Sequence, residues 1–325
     1  MTLQRNNIFQ ISNNKVLDCY KNEDNYLIEL NQNSNNNNCI IYFSSNGLYY
    51  PNTEKAFTRI IIKNNRFEWK NRNKVKDAKK NIFVRDVFKQ FYLNGINNKI
   101  NSIEKLLDFL KYETEGMKIT TIGGSGGGYA AVLFGILLNA NRIFNFSGQF
   151  SLLPILKERA EHYELYPLLF QYQHDRRINK YYDLIELIRN SKMPIFYFLP
   201  GNCNFDLVQK ELVQEFRNIY IYRTLSKTHG TTIHDFNKLD ILEMSSNSII
   251  KELAIFRDKK VSRLKFSLKV SGLKKTLRYY LKAEIRYLFQ VLKFLLWYLP
   301  SYWIIDKKTY IRSKHNSFRG RTLSS

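Results

Sequence analysis

Cysteine is scarce in this chain: Cys19, Cys39 and Cys203 are the whole supply, far apart and in no CxxC pair. That argues against a disulfide framework and against a zinc site, no other metal site is indicated, and it fits a reducing cytoplasm. No uninterrupted apolar run reaches the roughly 18 residues of a membrane-spanning helix, so an ordinary span is not expected. The first residues, Met1-Thr-Leu-Gln-Arg-Asn-Asn7, lack the basic and apolar regions of a secretory signal. Acidic residues are also short, 28 Asp and Glu against 51 Lys and Arg, for a net charge of +23. Histidine is limited to five positions, which narrows the search for any catalytic base.

What is present is a chain of 325 residues, 44% hydrophobic, enough for one large domain with an appendage and too apolar for global disorder. The positive charge is concentrated at one end. From Arg257 onward there are 18 Lys and Arg against 3 Asp and Glu. A basic tail of that kind implies an anionic partner, a nucleic acid or an acidic membrane surface, and no base-reading motif accompanies it.

Up to about residue 256, short apolar runs alternate with helical patterns, the rhythm of an α/β sheet. Strands are expected at 8–12, 26–30, 39–43, 81–85, 118–122, 142–146, 194–199 and 219–223. Helices are expected at 102–112, 128–138, 206–216 and 238–257. The polar run 31–38 reads as an exposed hairpin loop without function. A helical, tyrosine-rich insertion is expected at about 151–191, where a substrate-covering lid could lie. The expected division is therefore a catalytic domain over 1–257 and a tail over 258–325. In the tail, Leu273, Leu277, Leu281, Ile285, Leu288, Leu292 and Leu295 recur at helical spacing. Lys274, Lys275, Arg278, Lys282 and Arg286 fall on the other side, and Phe294, Trp297, Tyr298, Tyr302 and Trp303 follow. Such a helix suits the surface of an anionic membrane, or packing on the domain or a second subunit.

The sharpest chemical signal is Ile122-Gly-Gly-Ser-Gly-Gly-Gly-Tyr-Ala-Ala-Val132, directly after an expected strand and opening an expected helix. It contains G-x-S-x-G as Gly123, Ser125 and Gly127. In a nucleophile elbow the serine occupies a strained turn between strand and helix, and a Cβ two residues to either side would collide. The helix N-terminus then lies beneath the serine and favours developing negative charge. A Walker A phosphate loop would need a Lys after the glycines, and none is there. A dinucleotide site built on Gly126-x-Gly128-x-x-Ala131 would need an acid about 20 residues on, where the chain reads Phe144-Asn-Phe-Ser-Gly-Gln149. The elbow reading makes this an α/β-hydrolase fold with a mainly parallel sheet and Ser125 as nucleophile.

A serine nucleophile needs a base and an acid that orients it. His162 and His174 lie in the insertion and His315 in the tail. His229 and His234 follow the last expected strand, in Thr224-Leu-Ser-Lys-Thr-His-Gly-Thr-Thr-Ile-His234; His229, nearer its end and before Gly230, is the expected base, with His234 the alternative. The acid is expected after the preceding strand, in Asn202-Cys-Asn-Phe-Asp206. Asp206 is the carboxylate there; the position three residues after Gly201 holds Asn204, and Asp206 could equally cap the helix that follows. Oxyanion donors are expected from the Gly126 N–H and from Ser45 or Asn46, after the strand 39–43.

Four stretches, Phe43-Ser-Ser-Asn-Gly47, Gly124-Ser-Gly-Gly-Gly128, Phe146-Ser-Gly-Gln149 and Thr228-His-Gly230, carry a further resemblance. Across about 8–256 the chain resembles the α/β-hydrolase-type O-acetyltransferases of bacterial capsular and surface-polysaccharide biosynthesis. That resemblance implies acetyl-CoA as co-substrate, an acetyl-Ser125 intermediate and a glycan hydroxyl as acceptor. A carbohydrate esterase, or another serine hydrolase with the same triad, is the alternative. A non-catalytic member of a glycan or secretion machinery is a third. Together with the tail, the resemblance implies work at the inner face of the cell membrane.

Overall fold

A computed structural model describes residues 8–257 and 259–282 and, beyond these, 284–285, 288–290 and 292–294. The chain divides into two compact units between Val270 and Ser271. The first is built on eight strands: β1 (Tyr26–Leu30), β2 (Asn38–Phe43), β3 (Lys80–Val84), β4 (Lys118–Gly124), β5 (Arg142–Phe146), β6 (Ile195–Pro200), β7 (Ile219–Thr224) and β8 (Lys260–Val261). They form one sheet in the order β1-β3-β2-β4-β5-β6-β7-β8. β1 runs antiparallel to β3, and every other neighbouring pair is parallel. This mostly parallel sheet, covered by helices on both faces, is an α/β-hydrolase-type architecture.

The central strands read as apolar runs because both faces are buried: all six residues of β6 are inaccessible, as are five of the six in β2. On one face the helices Ile103–Glu113 and Gly126–Leu137 bury Leu106, Leu110, Val132 and Phe134 against Ile41, Ile82 and Ile143. On the other, Ile241, Ile249, Leu253 and Phe256 pack against Phe144, Phe196 and Phe198. Gly126–Leu137 is apolar all round, as a helix at the centre of a layer must be.

Several expectations are corrected. The segment 8–12 is not a strand. It contains the short helix Phe9–Ser12, followed by Asn14–Asn22, which Asn13 caps by accepting from Lys15 N–H. Val16 and Cys19, one helical turn apart, bury against Tyr49 and Phe57, so three-residue spacing governs here. The run 31–38 is not a hairpin loop either. β3 lies between β1 and β2, and the run crosses its end. Its side chains are employed: Ser34 Oγ and Asn36 Nδ2 donate to the Asp77 carbonyl, and Asn37 Nδ2 to that of Gly116. The single helix expected at 238–257 is two, Asp235–Glu243 and Ser246–Leu253, the second capped by Ser245. The two-residue β8 was not expected at all.

The insertion 151–191 is a string of short helices, and Leu169, Tyr182, Leu184 and Ile188 bury in the same core as Gly126–Leu137. In the second unit, the described residues 271–282 are helical, and no described helix is long and apolar enough to cross a membrane. Arg286, Leu295, Trp297, Tyr298, Tyr302, Trp303 and His315 lie outside the described residues, as do Met1–Asn7.

Candidate active site

β4 runs into the helix Gly126–Leu137 with one residue between them, Ser125. Its φ of 50° and ψ of −126° place it in the left-handed half of backbone space, costly for a residue with a Cβ. The surroundings enforce the turn. Ser125 N–H donates to the Phe146 carbonyl at 3.0 Å, and the Ser125 carbonyl accepts from Gly128 and Tyr129 at 2.8 and 3.1 Å. A Cβ on Gly123 would strike the Gly127 carbonyl, and one on Gly127 would strike the Phe43 carbonyl. Both contacts are with backbone, so glycine is required on either side of the serine.

The tips of β6 and β7 bring the partners. His229, on the loop after β7, has Nε2 at 3.0 Å from Ser125 Oγ and Nδ1 at 3.0 Å from Asp206 Oδ2. A carboxylate only accepts, so Nδ1 carries the ring proton and Nε2 is left to accept from the serine hydroxyl. Asp206 sits in the first turn of Asn204–Val213, a helix that begins two residues earlier than expected. It is 1% exposed. The helix N-cap is Cys203, which makes no side-chain capping bond; its thiol hydrogen-bonds to the Asp206 carboxylate, whose Oδ2 also meets His229 Nδ1. Phe205 meets the imidazole edge-on with centroids 5.0 Å apart, which limits the orientations open to the ring. His234 is not in the group. It is the N-cap residue of Asp235–Glu243, its Nδ1 accepts from Arg263 Nη2 at 2.8 Å, and burial, then the Arg263 charge, push its pKa down to about 4.

The two residues expected as second oxyanion donor have different surroundings. Ser45 N–H is engaged, donating to Glu68 Oε2 at 2.6 Å. Among the described residues no hydrogen bond occupies the N–H of Asn46 or of Gly126. These residues are adjacent: a Cβ on Gly126 would strike the Asn46 carboxamide. Burial raises the pKa of Tyr166, from the insertion, and its hydroxyl reaches that same carboxamide.

A cleft of about 710 Å³ opens over Ser125. Residues 64–73 line most of it, with Glu68, Trp69 and Arg72 facing Phe146 and Lys238. Among the described residues, none of the insertion 151–191 lines this cleft, and its reach toward the site is through Tyr166 at Asn46. Several side chains tie the wall to the sheet ends: Trp69 Nε1 donates to the Phe43 carbonyl at 3.2 Å, Asn73 Nδ2 to the Asp235 carbonyl at 2.6 Å, and Glu68 accepts from Ser45. Lys238 Nζ pairs with Asp235 at 3.0 Å and stands 5.2 and 5.3 Å from the Trp69 and Phe146 ring centres. The wall lies between β2 and β3 without helical or strand periodicity, and its abundance of Asn, Arg and Lys was the one trace it left in the sequence.

No protein-family model matches the chain, and no curated protein does. The chain is similar to several solved structures at low identity. The capsule O-acetyltransferase of Neisseria meningitidis serogroup A is 15% identical, over 63% of this chain and 84% of that one, with a TM-score of 0.43. A lipase-esterase related protein from Clostridium acetobutylicum is 16% identical, over 71% and 98%, with a TM-score of 0.37. Acetyl xylan esterase 1 from Thermoanaerobacterium sp. is 10% identical, over 67% and 77%, with a TM-score of 0.41.

Proposed function

We propose that the protein is a serine-dependent acyltransferase that moves an acetyl group from acetyl-CoA to a hydroxyl of a bacterial capsular or surface polysaccharide. The carrying observation is the chain of contacts Asp206–His229–Ser125, two links of 3.0 Å each, ending on a serine in a strained elbow. Ser125 Oγ attacks the thioester carbonyl while His229 Nε2 takes its proton. The tetrahedral oxyanion is held by the N–H groups of Gly126 and Asn46. As it collapses, the C–S bond breaks and His229 returns the proton to the leaving thiolate, leaving acetyl-Ser125. A sugar hydroxyl then attacks that ester, gives its proton to His229, and leaves O-acetylated as Ser125 is reprotonated. The donor and acceptor are those implied by the motif resemblance. A serine esterase would run the same steps with water in place of the sugar. The basic helical tail would hold the enzyme at the inner face of the membrane.

Intact-mass spectrometry after incubation with acetyl-CoA should show one added acetyl group, on the peptide that contains Ser125. Ser125→Ala should abolish the adduct and lower turnover by about 10⁴-fold, since triad members act as a unit. An unmodified wild-type protein that also resists a fluorophosphonate probe would point to a non-catalytic role. Rapid loss of the adduct to water, unaffected by glycan, would favour the esterase.

A further inference from the structure

A largely buried carboxylate beside a site where negative charge must develop calls for a physical reason. Glu68 lines the cleft with Ser125, its side chain 16% exposed. Its Oε2 accepts from Ser45 N–H at 2.6 Å and its Oε1 from the Ser45 hydroxyl at 3.1 Å. That hydroxyl oxygen accepts in turn from Gly47 N–H at 3.1 Å, and Leu48 N–H returns to the Ser45 carbonyl at 3.2 Å. One side chain thus grips the N–H and the hydroxyl of the residue that opens the turn 45–48. The upstream end is held as well: Ser44 N–H donates to the Val84 carbonyl, and the Tyr92 hydroxyl donates to the Ser44 carbonyl, each at 2.9 Å. Asn46 is the second residue of this turn, and its side chain presses on Gly126.

We propose that Glu68 is the positioning residue of the oxyanion hole: by gripping Ser45 it fixes the turn 45–48, so that the N–H groups of Asn46 and Gly126 converge on the acyl oxygen. The inference rests on Ser125 being the acylated residue and adds what sets the hole beside it. A preorganised donor contributes only if it stands in place before charge develops, and a displacement of about 1 Å can cost 10²-fold. The charge of Glu68 opposes an oxyanion, and its burial works against that charge. Burial raises its pKa from the ordinary carboxylate value, against the opposing pull of Ser45 N–H and Arg66. In the protonated form Oε2 still accepts from Ser45 N–H while Oε1–H donates to Ser45 Oγ. A neutral amide reproduces that pattern.

The test uses the full-length protein, p-nitrophenyl acetate as substrate and a fluorophosphonate as probe. Glu68→Ala should lower kcat by roughly 10–100-fold with KM little changed, and slow fluorophosphonate labelling by a similar factor. Glu68→Gln should restore both to near the wild-type level. Thermal melts of the two variants separate this from unfolding, because an unfolded protein loses labelling altogether. Equal kcat in wild type and Glu68→Ala would overturn the proposal. So would a gain in Glu68→Ala, which would mean that the carboxylate merely occludes Ser45 N–H. Loss in Glu68→Gln equal to that in Glu68→Ala would overturn it as well. If Ser125→Ala turns over like the wild type, the acyl-serine reading itself has failed, a different result from any of these.

Discussion

An aspartate in the first turn of a helix can serve the helix or serve a neighbour, and the two uses differ in what their loss costs. A lost cap removes about 1 kcal/mol of stability and leaves chemistry nearly untouched. A lost orienting acid lowers turnover by about 10⁴-fold, because the imidazole then settles in the wrong tautomer. Asp206 is buried and its side chain meets His229 at 3.0 Å. Asp206→Asn should therefore reduce kcat by about 10⁴-fold while the melting temperature shifts by only a few degrees. Parallel kinetics and thermal melts decide it, and an early-melting variant with normal turnover would return Asp206 to the helix. At this scale the sequence was most legible where chemistry restricts residue type locally. Gly123 and Gly127, two residues to either side of Ser125, stand out because backbone atoms forbid a Cβ there. In the sequence His229 is favoured over His234 only by its place nearer the strand end and before Gly230. They share one loop, and what divides them is a distant residue, Arg263, which takes His234. Ser45 and Asn46 were equivalent until Glu68, far along the chain, claimed Ser45 N–H.

Among the elements, the strand–elbow–helix unit joins fold to chemistry, and its tolerance is set by how closely β2 approaches the helix Gly126–Leu137. A methyl group on Gly127 meets the carbonyls of Phe43 and Ser44, and backbone cannot swing aside as a side chain tip can. Gly127→Ala should cost about 1–3 kcal/mol, the usual range for overpacking. It should also cost activity out of proportion, since β2 carries the turn with Asn46. Denaturant melts and p-nitrophenyl acetate turnover would read both; a variant with wild-type melting and turnover would show that the two elements have room to separate. The inner strands could be read from the sequence because burial on both faces leaves apolar runs. Strand neighbours could not. Whether 31–38 joins adjacent strands depends on β3 entering between β1 and β2, a choice made by residues 40 and more positions later. The wall 64–73 was invisible for a related reason: it is held by scattered side-chain bonds, those of Glu68, Trp69 and Asn73 among them, which leave no periodic trace.

For the molecule as a whole, the open question is what the basic end of the chain does. Leu273, Leu277, Leu281 and Ile285 are each more than half exposed, in register at helical spacing. Lys274, Lys275, Arg278 and Lys282 are interleaved with them, beyond the compact first unit. Exposed leucine and net positive charge together suit an anionic bilayer, where each basic residue contributes about 1 kcal/mol and the leucines add their burial. Four such residues alone correspond to roughly millimolar attachment, so the apolar contribution decides whether binding is useful. The full chain should float with vesicles containing phosphatidylglycerol, and less so as salt rises. Leu277→Asp with Leu281→Asp should abolish flotation and leave p-nitrophenyl acetate turnover intact. A truncation for the same purpose belongs after Val270 rather than after Arg257. The shorter cut would remove β8, which pairs with β7, and Phe266, which is buried against Phe198 and Phe256. A protein that ignores vesicles but changes from dimer to monomer with the double substitution would instead assign the stripe to a second copy of the chain.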